Sequence, residues 1–229
     1  MANLYLIRHG QASFGKADYD ALSDRGWEQG RVLGRWMAGK VSPTAVFAGD
    51  MRRHRETLEA MADGFGQSLP EVQTNPGFNE FDHETVVHAL KPEWANREVM
   101  ARDLAKHEKP AKAFQLTFVE AVERWVSGQY DSEYPETWVD FCTRVNAAVD
   151  DALANSGGGD VLVASSGGPI SVVMQALLGL DDKRALELNQ VIANTSVTRI
   201  LFSGRRRSLS VFNNYAHLED GAPELVTFR

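Results

Sequence analysis

Leu4-Tyr5-Leu6-Ile7-Arg8-His9-Gly10 is the stretch on which the reading of this chain turns. Four apolar residues, too few for a helix and crowded with β-formers, predict a short buried strand. A cation, an imidazole and a glycine follow directly. In an open α/β sheet, ligands bind at the carboxyl ends of strands. That position makes His9 a candidate nucleophile and Arg8 a candidate anion holder beside it.

Outward from this strand the pattern alternates. Residues 11–20 read as a loop, and Ser23 is a candidate N-cap for a helix whose Trp27, Val32, Leu33, Trp36 and Met37 share a face. A strand over 44–48 follows Pro43, then a helix over about 50–62. Residues 78–134 are rich in charge, histidine and aromatics, with helical patterns near 92–107 and 111–128 and no clear strand. They read as a helical insertion serving as a lid. Thr137 caps a helix running to about 155, which Gly157-Gly158-Gly159 ends. Val161-Leu162-Val163-Ala164 is the clearest strand, and Ser165-Ser166-Gly167-Gly168-Pro169 turns it into a helix over 170–178. Strands near 197–202 and 209–212 flank Gly204-Arg205-Arg206-Arg207-Ser208, read as a solvated hairpin turn. The alternation predicts one domain over 1–229, a three-layer α/β/α sandwich with a mostly parallel sheet flanked by helices.

The bulk composition, 43% hydrophobic and 24% charged, is that of a globular protein, and 229 residues suffice for a substantial core. A net charge of −7 gives no reason to expect nucleic acid or an anionic membrane as partner. A phosphate site would need arginines clustered locally. Cys142 is the only cysteine, which suits a reducing compartment. With neither a signal-like start nor a membrane-length apolar run, the expectation is cytoplasmic. Oligomeric state is not legible. His83, His88 and His107 lack zinc-ligand spacing, so no metal is expected. Trp94, Trp125, Tyr130, Tyr134 and Trp138 are expected to pack rather than to stack on a ligand.

Phosphoryl transfer to a side chain needs a nucleophile, cations on the non-bridging oxygens and an acid for the leaving alkoxide. Neutral imidazole is nucleophilic near neutral pH when a hydrogen bond orients its second nitrogen. Arginine holds phosphate oxygens bidentately without losing its charge. Arg52, Arg53 and Arg55 stand at the start of the helix after the second strand, where the helix dipole also favours an anion. Neighbouring positions diverge around a helix, so one of the three is expected to face the site.

These motifs together resemble the histidine phosphatase superfamily, the phosphoglycerate mutase-like proteins. Arg8-His9-Gly10 matches the family's opening motif. Leu22-Ser23 with Gly26 and Gln29 resembles its helix entry, and Gly49, Arg53, His54 and Thr57 take the places of Ser, Arg, Ala and Thr in its second motif. Asn194-Thr195-Ser196 and Asn213 to His217-Leu218 resemble its closing segment. The resemblance implies that His9 is phosphorylated and that Arg8 and Arg53 clamp the phosphoryl group. It implies Glu80 as general acid by position, with Phe78 and Phe81 to desolvate it and raise its pKa; Asp82 is a lesser candidate. Gly10, Ser13, Ser166 and Gly167 are expected substrate contacts. The implied activity is a phosphomonoester hydrolase acting on a small phosphorylated metabolite, without cofactor, with inorganic phosphate as product.

One position departs from the family. Its second histidine should follow Ser165, and Ser166 stands there instead. A serine donates a hydrogen bond but carries no charge, a loss worth about 2–4 kcal/mol of transition-state stabilisation. A slower enzyme, or compensation by His54, Arg52 or Arg55, would follow. Three other readings remain open: a weakened phospho-ligand binder, a phosphoglycerate mutase-type phosphotransferase, and a serine hydrolase built on Ser166, Asp181 or Asp182, and His217.

Overall fold

The structure, a computed structural model, describes residues 2–13 and 20–228. Most of the loop expected over 11–20 therefore lies outside the described residues. Along the chain run β1 (Ala2–Arg8), α1 (Asp24–Met37), β2 (Pro43–Ala48), α2 (Arg52–Phe65), β3 (Val72–Thr74), α3 (His83–Leu90), α4 (Arg97–Leu104), α5 (Pro110–Val126), α6 (Trp138–Ala154), β4 (Asp160–Ser165), α7 (Gly167–Leu178), α8 (Asp182–Val191), β5 (Val197–Ser203), β6 (Arg206–Asn214) and α9 (Ala216–Glu219). The strands form one mixed sheet in the order β3-β2-β4-β1-β5-β6. β1, β2, β3 and β4 pair in parallel, whereas β5 and β6 add antiparallel.

The central strands β1 and β4 register Arg8 opposite Ser165, so both chains leave the sheet at the same end. Alternate residues divide its faces. Tyr5, Ile7, Val46, Ala48, Leu162 and Ala164 pack under α1 and α2, against Leu33, Met37, Leu58 and Met61. Leu4, Leu6, Phe47, Val161 and Val163 are buried on the opposite face. α1 starts where Ser23 accepts a hydrogen bond from the Gly26 N–H, the capping expected from sequence.

The two helices, α1 and α2, approach so closely that no room is left for a Cβ at Gly34 or Gly64. A Cβ at Gly34 would lie 2.0 Å from the Met61 carbonyl oxygen, and one at Gly64 would lie 2.0 Å from that of Arg31.

Several local readings need correction. β3, α3 and α8 were not anticipated. β3 is three exposed residues without alternation, while α3 and α8 are short and begin at aspartate caps, Asp82 and Asp181. The helical pattern at 92–107 is split into a 3₁₀ turn, Pro92–Ala95, and α4, because Asn96 caps the latter. The hairpin turn is also tighter than expected. Ser203 pairs with Arg206 around Gly204-Arg205, Gly204 has φ +57°, and Arg207 lies within β6 in an ion pair with Asp150.

The chain divides into two compact units, one formed by Met1–Glu80 with Arg144–Arg229 and the other by Phe81–Thr143. In the second unit Phe81, Trp125, Trp138 and Phe141 pack ring against ring, with centroids 4.9–5.8 Å apart. Tyr130 instead lies on the surface under the Arg124 guanidinium, 3.7 Å from its ring centroid. Among the described residues no helix is long and apolar enough to cross a membrane, and no cluster of three metal-ligating side chains forms.

The turn from α8 into β5 is pinned from within. Thr195 adopts φ +56°, its N–H donates to the Arg8 carbonyl at 3.0 Å, and its hydroxyl lies 3.1 Å from His217 Nε2. His217 is buried beside Trp36, and that burial lowers its pKa from 6.5 to about 4.

Two outcomes follow from this packing. Gly34→Ala should destabilise the fold by about 1–3 kcal/mol in chemical denaturation, although alanine is the better helix former; a gain in stability would contradict the close approach. The second concerns acid. Because His217 is neutral when folded and takes up a proton when unfolded below 6.5, its contribution is complete above pH 6.5 and lost as pH falls towards 4. The lowered value corresponds to about 3 kcal/mol. Melting curves of His217→Gln should show a stability loss between pH 6.5 and 4 that is smaller than wild type by about that amount.

Candidate active site

β1 delivers His9 to the sheet's carboxyl edge, and the backbone there is held on three sides. The His9 N–H donates to the Ser165 carbonyl at 2.9 Å, the Asn194 side-chain amide donates to the His9 carbonyl at 3.0 Å, and the Gly10 N–H donates to Thr57 Oγ1 at 3.0 Å. Thr57 in turn donates to the Arg53 carbonyl at 2.6 Å. The nucleophile candidate is thereby tied to β4, to the loop before β5, and to α2.

The His9 ring lies with Nδ1 2.7 Å from the Gly10 carbonyl oxygen. A carbonyl only accepts, so Nδ1 carries the proton and the neutral ring keeps its lone pair on Nε2. Burial, and after it the charges of Arg53 and Arg8 and the neighbouring His54 ring, hold the pKa well below the ordinary histidine value, with only the Gly10 bond acting the other way. His9 is thus an unprotonated imidazole at neutral pH, surrounded by positive charge.

The three arginines of α2 separate as helix geometry requires. Arg53 is buried, Arg52 reaches Glu56 at 2.6 Å, and Arg55 is exposed. Arg53 donates to Asp20 at 2.7 Å, while its Nε is buried and has no hydrogen-bond acceptor among the described residues. The other oxygen of Asp20 accepts the Arg52 N–H at 2.7 Å, at the start of α2. Asp20 was missed in the sequence; a loop aspartate carries no local signal of the arginine it will meet. The Arg8 guanidinium reaches the carbonyls of Ile192 and Phe228, the latter at 3.0 Å.

Glu80 approaches from the turn after β3. Its Oε2 accepts the Gly168 N–H at 3.1 Å, so its carboxylate sits at the start of α7. The approach requires the glycine, since a Cβ at 168 would fall 2.0 Å from Glu80 Oε1. Ser165 Oγ and Arg144 hold this turn in place through the carbonyls of Phe78 and Asn79, at 2.7 and 2.9 Å. Asp82 is differently employed. Burial alone would raise its pKa, yet bonds from the Thr85 hydroxyl and N–H lower it, which suits a helix cap and not an acid.

The remaining expected contacts divide. Gly10 lies just past the end of β1, and Gly167 opens α7 just past the end of β4. Ser13 is buried and its hydroxyl donates to the Leu22 carbonyl at 3.0 Å. Ser166 is fully buried at the N-cap of α7 without capping it, and its Oγ lies 2.8 Å from His54 Nε2. The serine hydrolase arrangement is therefore not formed. His217 is occupied with Thr195, Asp181 caps α8 and Asp182 accepts from Gln175. Of the three side chains expected to compensate for Ser166, it is His54 that meets it. Burial with the Arg53 charge lowers its pKa well below the ordinary value, so it brings a hydrogen bond and not a charge.

Among curated proteins none matches the chain. Solved structures do share its fold. A phosphoglycerate mutase from Bacillus anthracis str. Sterne is 20% identical, with 96% of each chain covered and a TM-score of 0.66. A phosphoserine phosphatase mutant from Entamoeba histolytica, in complex with phosphoserine, is 15% identical, covering 95% of this chain and 100% of its own with a TM-score of 0.64. A mycobacterial glucosyl-3-phosphoglycerate phosphatase in complex with inorganic phosphate is 22% identical, covering 95% and 99% with a TM-score of 0.58. The model of the histidine phosphatase superfamily (branch 1) matches residues 4–215. With that match spanning nearly the whole chain, and His9, Arg53 and Glu80 built around the ends of β1, β2 and β4, the protein belongs to the histidine phosphatase superfamily.

Proposed function

We propose that the protein hydrolyses phosphomonoesters of small metabolites through a phosphohistidine on His9. The observation that carries this reading is the His9 ring itself. Its Nδ1 is committed to the Gly10 carbonyl, its Nε2 holds a lone pair, and the arginines beside it favour an arriving anion. The Nε of Arg53, buried without an acceptor among the described residues, is a donor suited to a phosphoryl oxygen. The charge of Arg8 and the N–H groups opening α7 add to the same field. The similar phosphatases and mutase, named for phosphorylated small molecules, support the substrate class. On this reading the protein works in the cytoplasm, where the thiol of Cys142 stays reduced.

In the first step His9 Nε2 attacks phosphorus. The N–P bond forms as the P–O bond to the leaving alkoxide breaks, and Glu80, in its acid form, gives that oxygen a proton. In the second, the Glu80 carboxylate takes a proton from water, whose oxygen attacks phosphorus. The N–P bond breaks, its electron pair returns to Nε2, and orthophosphate leaves with Glu80 again protonated. No step calls for a metal or cofactor.

Labelling with a radiolabelled phosphomonoester, quenched in alkaline detergent, should trap a base-stable, acid-labile phosphoenzyme in wild type and none in His9→Ala. Unlabelled wild type, or equal labelling of both, overturns the mechanism. Glu80→Gln should lower turnover by roughly 10²–10⁴-fold, most for substrates with poor leaving groups; an unchanged rate would remove Glu80 from the acid role.

A further inference from the structure

His54 is fully buried in the first turn of α2, 112 positions from the serine it touches. Nothing about helix formation calls for an imidazole there. Its ring lies 5.8 Å from that of His9, centroid to centroid. Room for it depends on Gly49, where a Cβ would come within 2.4 Å of His54 Nδ1. Ser166 is equally buried, and among the described residues His54 is its hydroxyl's hydrogen-bond partner.

The tautomer follows from what surrounds the ring. His54 Nδ1 is buried with no hydrogen-bond partner among the described residues. An unmatched N–H costs more than an unmatched lone pair, and orphaned buried donors are the rarer case. The proton therefore resides on Nε2, where Ser166 Oγ accepts it. Burial first, and then the Arg53 charge, keep the ring neutral by lowering its pKa well below the ordinary value. With its oxygen engaged as acceptor, Ser166 has its own hydroxyl proton left to give. Ser166 stands at the start of α7, beside Gly168 and the end of β1.

We propose that His54 is a positioning residue that acts through Ser166, donating Nε2–H to the serine oxygen and so presenting a polarised hydroxyl to the phosphoryl group at His9. The inference rests on the reading of His9 as the phosphoryl acceptor. It assigns the contact with phosphate to Ser166 and the orientation of that contact to α2, so that two residues perform what one side chain from β4 would otherwise do. Cooperative strengthening along such a chain of donors is expected where water is excluded.

The experiment is a double-mutant cycle on His54→Ala, Ser166→Ala and the double variant. It reads kcat and KM with p-nitrophenyl phosphate, and affinity for inorganic phosphate by calorimetry. Each single variant should lose roughly 100-fold in kcat, and the double variant should be no worse than the poorer single. His54→Gln, whose amide carries an N–H at a comparable reach, should recover most of the loss and also serves if the alanine variant fails to fold. Losses in the two single variants that multiply in the double would overturn the proposal, as would unchanged kcat in a folded His54→Ala or no recovery with His54→Gln. Failure of wild type to form a phosphoenzyme sinks the hydrolase reading instead. The same cycle read in phosphate affinity then decides the inference, with non-additive losses supporting it and additive ones refuting it.

Discussion

The parallel pairing of β1 with β4 is the constraint on which the site depends. It registers Arg8 against Ser165 and closes with the His9 N–H on the Ser165 carbonyl. Both strands are buried on both faces, as parallel sheets require. A slip of register would exchange every apolar side chain between the two packed faces and lose the fit of each. The burial of Leu4 to Ile7 and Val161 to Ala164 therefore fixes His9 against Ser165 to within a hydrogen bond, with Ser166 next along the chain. The site inherits its precision from the core beneath it.

Around that pair the protein places charge so that the imidazole stays unprotonated. His9, His54 and His217 are all buried, and burial is the leading cause lowering each pKa. For His9 the cations add to it. On the proposed reading, the same arginines that would attract a phosphoryl group also help to keep the His9 ring unprotonated. Asp20 belongs to this arrangement, because a carboxylate between Arg53 and the start of α2 offsets positive charge that would otherwise stand alone. On the proposed reading, an arriving phosphate would meet a guanidinium already oriented by Asp20.

Much of the frame was legible in the sequence because its signals are local. The run before Arg8 reads as a strand from composition alone, Ser23 caps α1 where its spacing to Gly26 says it should, and Gly157 to Gly159 end α6. What escaped had no local signal. β3 is held by pairing with β2 and not by its own three residues, while α3 and α8 are short helices set by aspartate caps more than by apolar period. Asp82 illustrates the limit for function. As a carboxylate close to Glu80 it read as a lesser candidate for the same acid role, yet the hydroxyl and N–H of Thr85, three residues on, make it a cap.

By itself the sequence determined which chemical groups are present and where along the chain each strand delivers them: an arginine ending β1 with a histidine after it, arginines opening α2, a serine after β4. Those follow from short-range pattern, since strand and helix periods are written within a few residues. Which arginine turns inward, what Asp20 and Glu80 touch, and that His54 reaches Ser166 were decided only in the tertiary structure. Sheet order brings together residues far apart in the chain, and no local period encodes the order in which strands pair.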